Sequence, residues 1–179
     1  MKKAVSFVLG LIAVTVITTC KDSFDQRPDV VWVPTPQEVV DKMLEMADVK
    51  EGDILYDLGC GDGRIVSTAA KKFGVRAFGF DIDPQRIKDS TKTVKDNKVE
   101  HLVTITQKNI FELDLTTPTV ITLYLLPSLN VKLIPQLERC RPGTRIVSHD
   151  FDMKGIKPKR IYEMDGHTIY LWVTPLEKE

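Results

Sequence analysis

The chain has 179 residues, 25 basic and 25 acidic side chains, and 42% hydrophobic residues. This length supports one domain with an adequate core, and the charge balance excludes a bulk electrostatic attraction to nucleic acid. Cys20, Cys60 and Cys140 form no CxxC pair, and His101, His149 and His167 are scattered along the chain, so neither a zinc site nor a catalytic triad is expected.

The first element is an apolar run. Met1-Lys2-Lys3 precedes apolar residues 4–18, and Cys20 follows. A basic start before a short apolar stretch is the pattern of a secretory signal. The run is short for a membrane span. Ile17-Thr18-Thr19-Cys20 is similar to a bacterial lipobox, although Thr19 stands where Gly, Ala or Ser is usual. Residues 1–29 are therefore expected to be a signal or anchor with a polar linker. Membrane association follows from this, with possible lipidation at Cys20 and the side of the membrane left open. Residues 30–179 are expected to form the catalytic domain.

After the linker, helical and strand patterns alternate, which predicts a doubly wound, mostly parallel sheet. Thr35-Pro36-Gln37-Glu38 reads as a capping box with Thr35 as N-cap. Val39, Val40, Met43, Leu44 and Ala47 then give the helix one apolar face. Residues 54–57 read as a buried strand ending in Asp57 and turning through Gly59, Gly61 and Gly63 into a helix, which Gly74 closes. The next strand spans 75–80 and is followed by Asp81. Asp83-Pro84 starts another helix, as N-cap and N1. Further strands are expected at 101–106, 119–126 and 145–148. The helix over 129–140 contains Pro135, which should kink or restart it. Residues 160–164 and 168–173 flank Asp165-Gly166, a strong hairpin signal. The result is a Rossmann-like α/β fold with seven strands, the last of them antiparallel.

The glycine loop predicts the ligand. Such loops stand at the carboxyl ends of strands, where open α/β sheets bind nucleotides. Arg64 occupies the place where a dinucleotide fingerprint needs a small residue, and no Gly-Lys-Ser/Thr phosphate loop exists. Asp57 would repel a pyrophosphate but suits an ammonium group. Asp81 lies at the distance from the loop where a carboxylate captures ribose hydroxyls. Together these point to S-adenosylmethionine as cofactor. Ser148, His149 and Asp150 are catalytic-triad residue types, but consecutive strand residues alternate faces. They are expected to serve packing and sheet-end hydrogen bonding. Trp32 and Trp172 are expected at the core or rim, Cys60 in the loop for its size, and Arg86 on a solvated helix face.

Four segments carry a family resemblance: Trp32-Val33-Pro34-Thr35-Pro36, Asp57-Leu58-Gly59-Cys60-Gly61-Asp62-Gly63-Arg64, Thr122-Leu123-Tyr124-Leu125-Leu126-Pro127, and Pro142-Gly143-Thr144-Arg145-Ile146-Val147-Ser148-His149-Asp150-Phe151. With the antiparallel last strand, the chain resembles a class I methyltransferase dependent on S-adenosylmethionine. More narrowly, it resembles the small archaeal-type and mitochondrial protein lysine methyltransferases. The resemblance implies that Asp57, Gly59 and Gly61 hold the methionine part and Asp81 the ribose. It places Asn109, where many relatives carry Asp, at the adenine. Pro34 and Thr35 close over the cofactor, and Tyr124 meets the acceptor nitrogen, although a core aromatic is the alternative for Tyr124. The implied activity is methylation of lysine side chains of a protein by a monomer, with no nucleic-acid partner. The alternatives are a small-molecule or RNA methyltransferase and a non-catalytic cofactor-binding module at a membrane.

Overall fold

A computed structural model describes residues 32–179. Residues 1–31, including the expected anchor, Cys20 and the start of the domain at residue 30, lie outside the described residues. No helix among the described residues is long and apolar enough to cross a membrane.

The elements run α1 (Gln37–Met46), β1 (Ile54–Leu58), α2 (Arg64–Phe73), β2 (Arg76–Asp81), α3 (Pro84–Asp96), β3 (Val103–Gln107), a short 3-10 turn at Ile110–Glu112, β4 (Val120–Leu123), α4 (Pro127–Leu137), β5 (Arg145–His149), β6 (Arg160–Met164) and β7 (His167–Val173). The seven strands form one sheet in the order β3-β2-β1-β4-β5-β7-β6. The first five are parallel, and β7 pairs antiparallel with both β5 and β6. This is the expected α/β architecture.

Two apolar clusters sandwich the sheet. One joins Val39, Val40, Met43 and Leu44 of α1 to Ile65, Val66 and Ala69 of α2 and Val94 of α3. The other joins Leu133 and Leu137 of α4 to Leu58, Ile121, Leu123, Ile146 and Trp172. β4 is buried along its whole length, as a central parallel strand with helices on both faces must be. The strand order reverses between β1 and β4, and a crevice opens beyond the carboxyl ends of the strands at such a switch point.

Several local readings hold in detail. Gly74 caps α2 in the left-handed conformation. Asp83 caps α3 by accepting from the Gln85 N–H, with Pro84 following. Asp165 and Gly166 both have positive φ, as a tight hairpin between β6 and β7 requires. Two readings fail. Thr35 does not cap α1: the N-cap is Pro36, with no side-chain cap, because the Thr35 hydroxyl is bonded instead to His149. Pro135 lies inside α4 without ending it. It falls in the last turn, so the bond it removes is the one to the carbonyl of Val131, itself an exposed residue.

Candidate active site

A cavity of about 620 Å3 opens at the switch point, lined by the ends of β1, β2 and β4, the glycine loop and the segment before α1. Pro34, Thr35, Asp57, Gly59, Asp81, Asn109 and Tyr124 all line it. Gly61 is in the same loop and donates its N–H to Asp81 at 2.9 Å.

Asp57 is the most informative group. The register sets it beside Thr122, whose hydroxyl donates to Oδ1 at 2.6 Å. The other oxygen, Oδ2, is buried and has no partner within the protein. Burial pushes this carboxyl up to about 7, against the Thr122 hydrogen bond, with the nearby Asp81 and Asp62 adding to the rise. A buried acceptor left without a donor is costly. The methionine ammonium of S-adenosylmethionine is a donor of the right charge, so the residues present fit that cofactor.

Asp81 has two tasks. Oδ2 accepts from Gly61, and Oδ1 accepts from the Asp83 N–H at 3.0 Å. Each carboxylate oxygen keeps a further lone pair for a ribose hydroxyl. Burial holds its pKa above the ordinary carboxylate value, partly offset by these backbone bonds. Asn109 caps the 3-10 turn, its side-chain oxygen accepting from the Phe111 N–H at 3.1 Å.

The glycine loop has no room for side chains. Gly59 has φ of 85°, and a Cβ there would stand 2.9 Å from Leu125. Gly79 on β2 leaves space for Cys60, since its Cβ would meet the Cys60 side chain at 3.0 Å. Cys60 is buried, and burial pushes its thiol well above the ordinary value, so it sits there for size.

The wall formed by residues 32–35 is held by groups the sequence reading did not identify. Arg64 donates to the Thr35 carbonyl at 2.7 Å while its guanidinium pairs with Asp62 at 2.6 Å. Trp32 covers Gly61, whose added Cβ would fall 2.1 Å from the indole nitrogen. Arg86, expected on a solvated face, stacks on Trp32 with 4.4 Å from guanidinium carbon to ring centre. Apart from the Arg64–Asp62 pair, these contacts join residues far apart in sequence, so no local pattern announced them.

On the acceptor side, the Tyr124 ring lies 4.0 Å from that of His149 and 6.0 Å from that of Phe151, centre to centre. Burial raises the Tyr124 pKa, and the nearby Asp150 charge raises it further. The phenol therefore stays neutral and is no general base. His149 is fully buried, which pushes it down to about 4. Its Nδ1 meets Thr35 Oγ1 at 3.1 Å and its Nε2 meets His167 Nδ1 at 2.9 Å.

The expectation for Ser148, His149 and Asp150 is corrected in part. Ser148 turns inward and donates to the Phe151 carbonyl at 2.7 Å, as a sheet-end bond. His149 and Asp150 nevertheless converge, because β5 ends at His149 and Asp150 takes a φ of 58°. Strand alternation no longer applies there. His167, supplied by β7, completes the cluster. The histidines scattered in sequence are thus partly gathered in space.

Fold and site together define a class I methyltransferase that uses S-adenosylmethionine. Residues 57–160 match the family model described as the ANTKMT methyltransferase domain. A protein-lysine N-methyltransferase of Saccharolobus islandicus is 45% identical over 152 residues, covering 82% of this chain and 94% of that protein. A ribosomal protein L11 methyltransferase of Thermotoga maritima is 33% identical over 115 residues, covering 63% of this chain and 42% of its own. Among solved structures, an RNA methyltransferase from Salinibacter ruber in complex with S-adenosyl-L-homocysteine superposes with a TM-score of 0.78 at 52% identity, covering 80% of this chain and 94% of that one. The chain belongs to the ANTKMT methyltransferase domain family.

Proposed function

We propose that this enzyme methylates lysine side chains of a protein. The observation that carries the reading is Tyr124 at the wall of the cofactor cavity, its ring packed 4.0 Å from that of His149 and 6.0 Å from that of Phe151. The cofactor supplies an electrophilic methyl group on a sulfonium. The acceptor must then be a neutral amine whose lone pair faces that methyl group. The Tyr124 oxygen carries lone pairs that accept an amine N–H and turn the nitrogen. The Asp150 carboxylate draws a cationic lysine toward the site. The apolar and aromatic lining of Tyr124, Leu126, Leu129 and Phe151 favours the neutral amine by desolvation. Similarity to the Saccharolobus protein-lysine N-methyltransferase supports the same acceptor.

The Salinibacter relative favours a second reading, RNA as acceptor. The absence of net positive charge weighs against it. Incubation with methyl-labelled cofactor and separate protein and RNA pools tests the choice. Label is expected in protein, resistant to ribonuclease and recovered as methyl-lysine after hydrolysis. Label recovered only in RNA would replace lysine as the acceptor.

We also propose that residues 1–29 hold the domain at a membrane, on the strength of the basic start, the apolar run and Cys20. Carbonate-washed membranes should retain the full chain and release a chain lacking residues 1–29. Recovery of the full chain in the soluble fraction would overturn this.

A further inference from the structure

Beside the cofactor cavity, three ligand-type atoms face one point. His149 Nε2 lies 2.9 Å from His167 Nδ1, and Asp150 Oδ2 lies 3.2 Å from each of them. We propose that His149, Asp150 and His167 form a binding site for a late first-row divalent cation such as zinc.

The triangle is a poor hydrogen-bond arrangement. Its edges meet at roughly 60°, so an N–H aimed along one edge is far from the alignment above about 150° that it would need with the other. One N–H inside the triangle therefore serves one edge and leaves the others as facing lone pairs. His149 has a single N–H when neutral, and its Nδ1 is already engaged with Thr35. A cation at the centre satisfies all three atoms at once. Metal–ligand distances of about 2.1 Å, with angles between octahedral and tetrahedral, separate ligand atoms by about 3.0–3.4 Å. The two 3.2 Å edges fall in that span and the 2.9 Å edge lies just below it.

The surroundings support this. A metal-bound histidine ordinarily has its other ring nitrogen held by a hydrogen-bond partner, and Thr35 Oγ1 holds Nδ1 of His149. Asp150 is fixed by its second oxygen, which accepts from the Thr168 N–H at 3.0 Å. It also adopts a left-handed φ of 58°, unfavourable for a residue with a side chain, and this is what aims the carboxylate at the histidines. The side chains of His167 and Asp150 are 30% and 25% exposed, leaving a path for an ion and for water as further ligands. Two imidazoles and one carboxylate suit zinc, cobalt, nickel or iron better than magnesium or calcium. Because the His149 ring packs 4.0 Å from that of Tyr124, an ion here would fix the acceptor wall of the cavity.

The test uses the full chain, stripped with a chelator and then dialysed against buffered zinc. One zinc ion per chain is expected. His167→Ala and Asp150→Asn should each weaken zinc binding at least tenfold. Asn tolerates the left-handed backbone, and His167 is partly exposed, so both variants should melt near the parent when metal-free. Cobalt should give ligand-field bands without a thiolate charge-transfer band. Failure to take up stoichiometric zinc, unchanged affinity in both variants, or a thiolate spectrum placing the ion on cysteine would each overturn the site.

Discussion

At the scale of single residues, the site separates holding the cofactor from presenting the acceptor. Tyr124 belongs to the second task, because it follows β4 at the cavity wall and packs against His149 and Phe151. Tyr124→Phe should therefore lower turnover roughly tenfold to a hundredfold, the equivalent of about 1.5–3 kcal/mol for a hydrogen bond to a charged group. Affinity for S-adenosylhomocysteine, read by calorimetry, should stay within about twofold. Full turnover in that variant would return Tyr124 to the role of a core aromatic. Asp81 belongs to the first task and also ties down Gly61 and Asp83. Asp81→Ala should weaken cofactor binding by about 1.5–3 kcal/mol. Calorimetry showing parent-like affinity would remove it from the ribose site. Asp57 and Asp81 were legible in the sequence because their roles follow from chain spacing around one loop. Arg64, Trp32 and His167 were not, since each acts on a partner at least 18 positions away.

At the scale of elements, the β1–α2 connection sets the site. Gly63 is the N-cap of α2 with φ of 76°, and an added Cβ would lie 2.8 Å from Ser90 Cβ and 3.0 Å from its Cα. The α3 backbone cannot give way as a flexible side chain would. Gly63→Ala combines a left-handed backbone with overpacking and should destabilise the fold by about 2–4 kcal/mol. Urea unfolding measures this, and a loss under about 0.5 kcal/mol would show that α3 yields. The elements themselves were readable wherever one local rule decided them. Gly74, Asp83-Pro84 and Asp165-Gly166 are such cases. The misreadings arose where a tertiary contact competed with the local rule. The Thr35 hydroxyl goes to His149 across the fold, and Asp150 escapes strand alternation through its backbone turn. Strand ends shifted by a few residues for the same reason: 119–126 was expected, but the ladder of β4 stops at Leu123, before the chain turns into the cavity wall.

At the scale of the molecule, two buried carboxylates at opposite ends of β1 have opposite effects on stability. Asp53 precedes the strand. Burial alone would raise its pKa, but bonds from Thr119, the Lys50 N–H and Arg145 outweigh it and hold the carboxyl below the usual value. Its stabilisation is present above the unfolded value and is lost as pH falls through the folded one. Asp57 is the penultimate residue of the same strand, and its pKa is raised from 3.8 to about 7. Between those values the unfolded chain releases a proton that the folded chain retains, so stability falls as pH rises, and above about 7 the full cost stands. A rise of about 3 units corresponds to roughly 4 kcal/mol. An ammonium on Oδ2 would favour the carboxylate and remove that cost. The cofactor-free protein should therefore lose stability between about pH 5 and about pH 8, and saturating S-adenosylmethionine should largely abolish the decline. Asp57→Asn should be more stable than the parent at about pH 8 yet bind cofactor poorly, a trade of stability for function. By the same linkage, parent affinity should rise with pH up to about 7, with proton release on binding below that point. Urea unfolding at the two pH values, and calorimetry in buffers of different ionisation enthalpy, read both effects. Parallel pH profiles for parent and Asp57→Asn, with no proton release, would mean that Asp57 is already ionised in the free protein and that something other than the cofactor satisfies Oδ2.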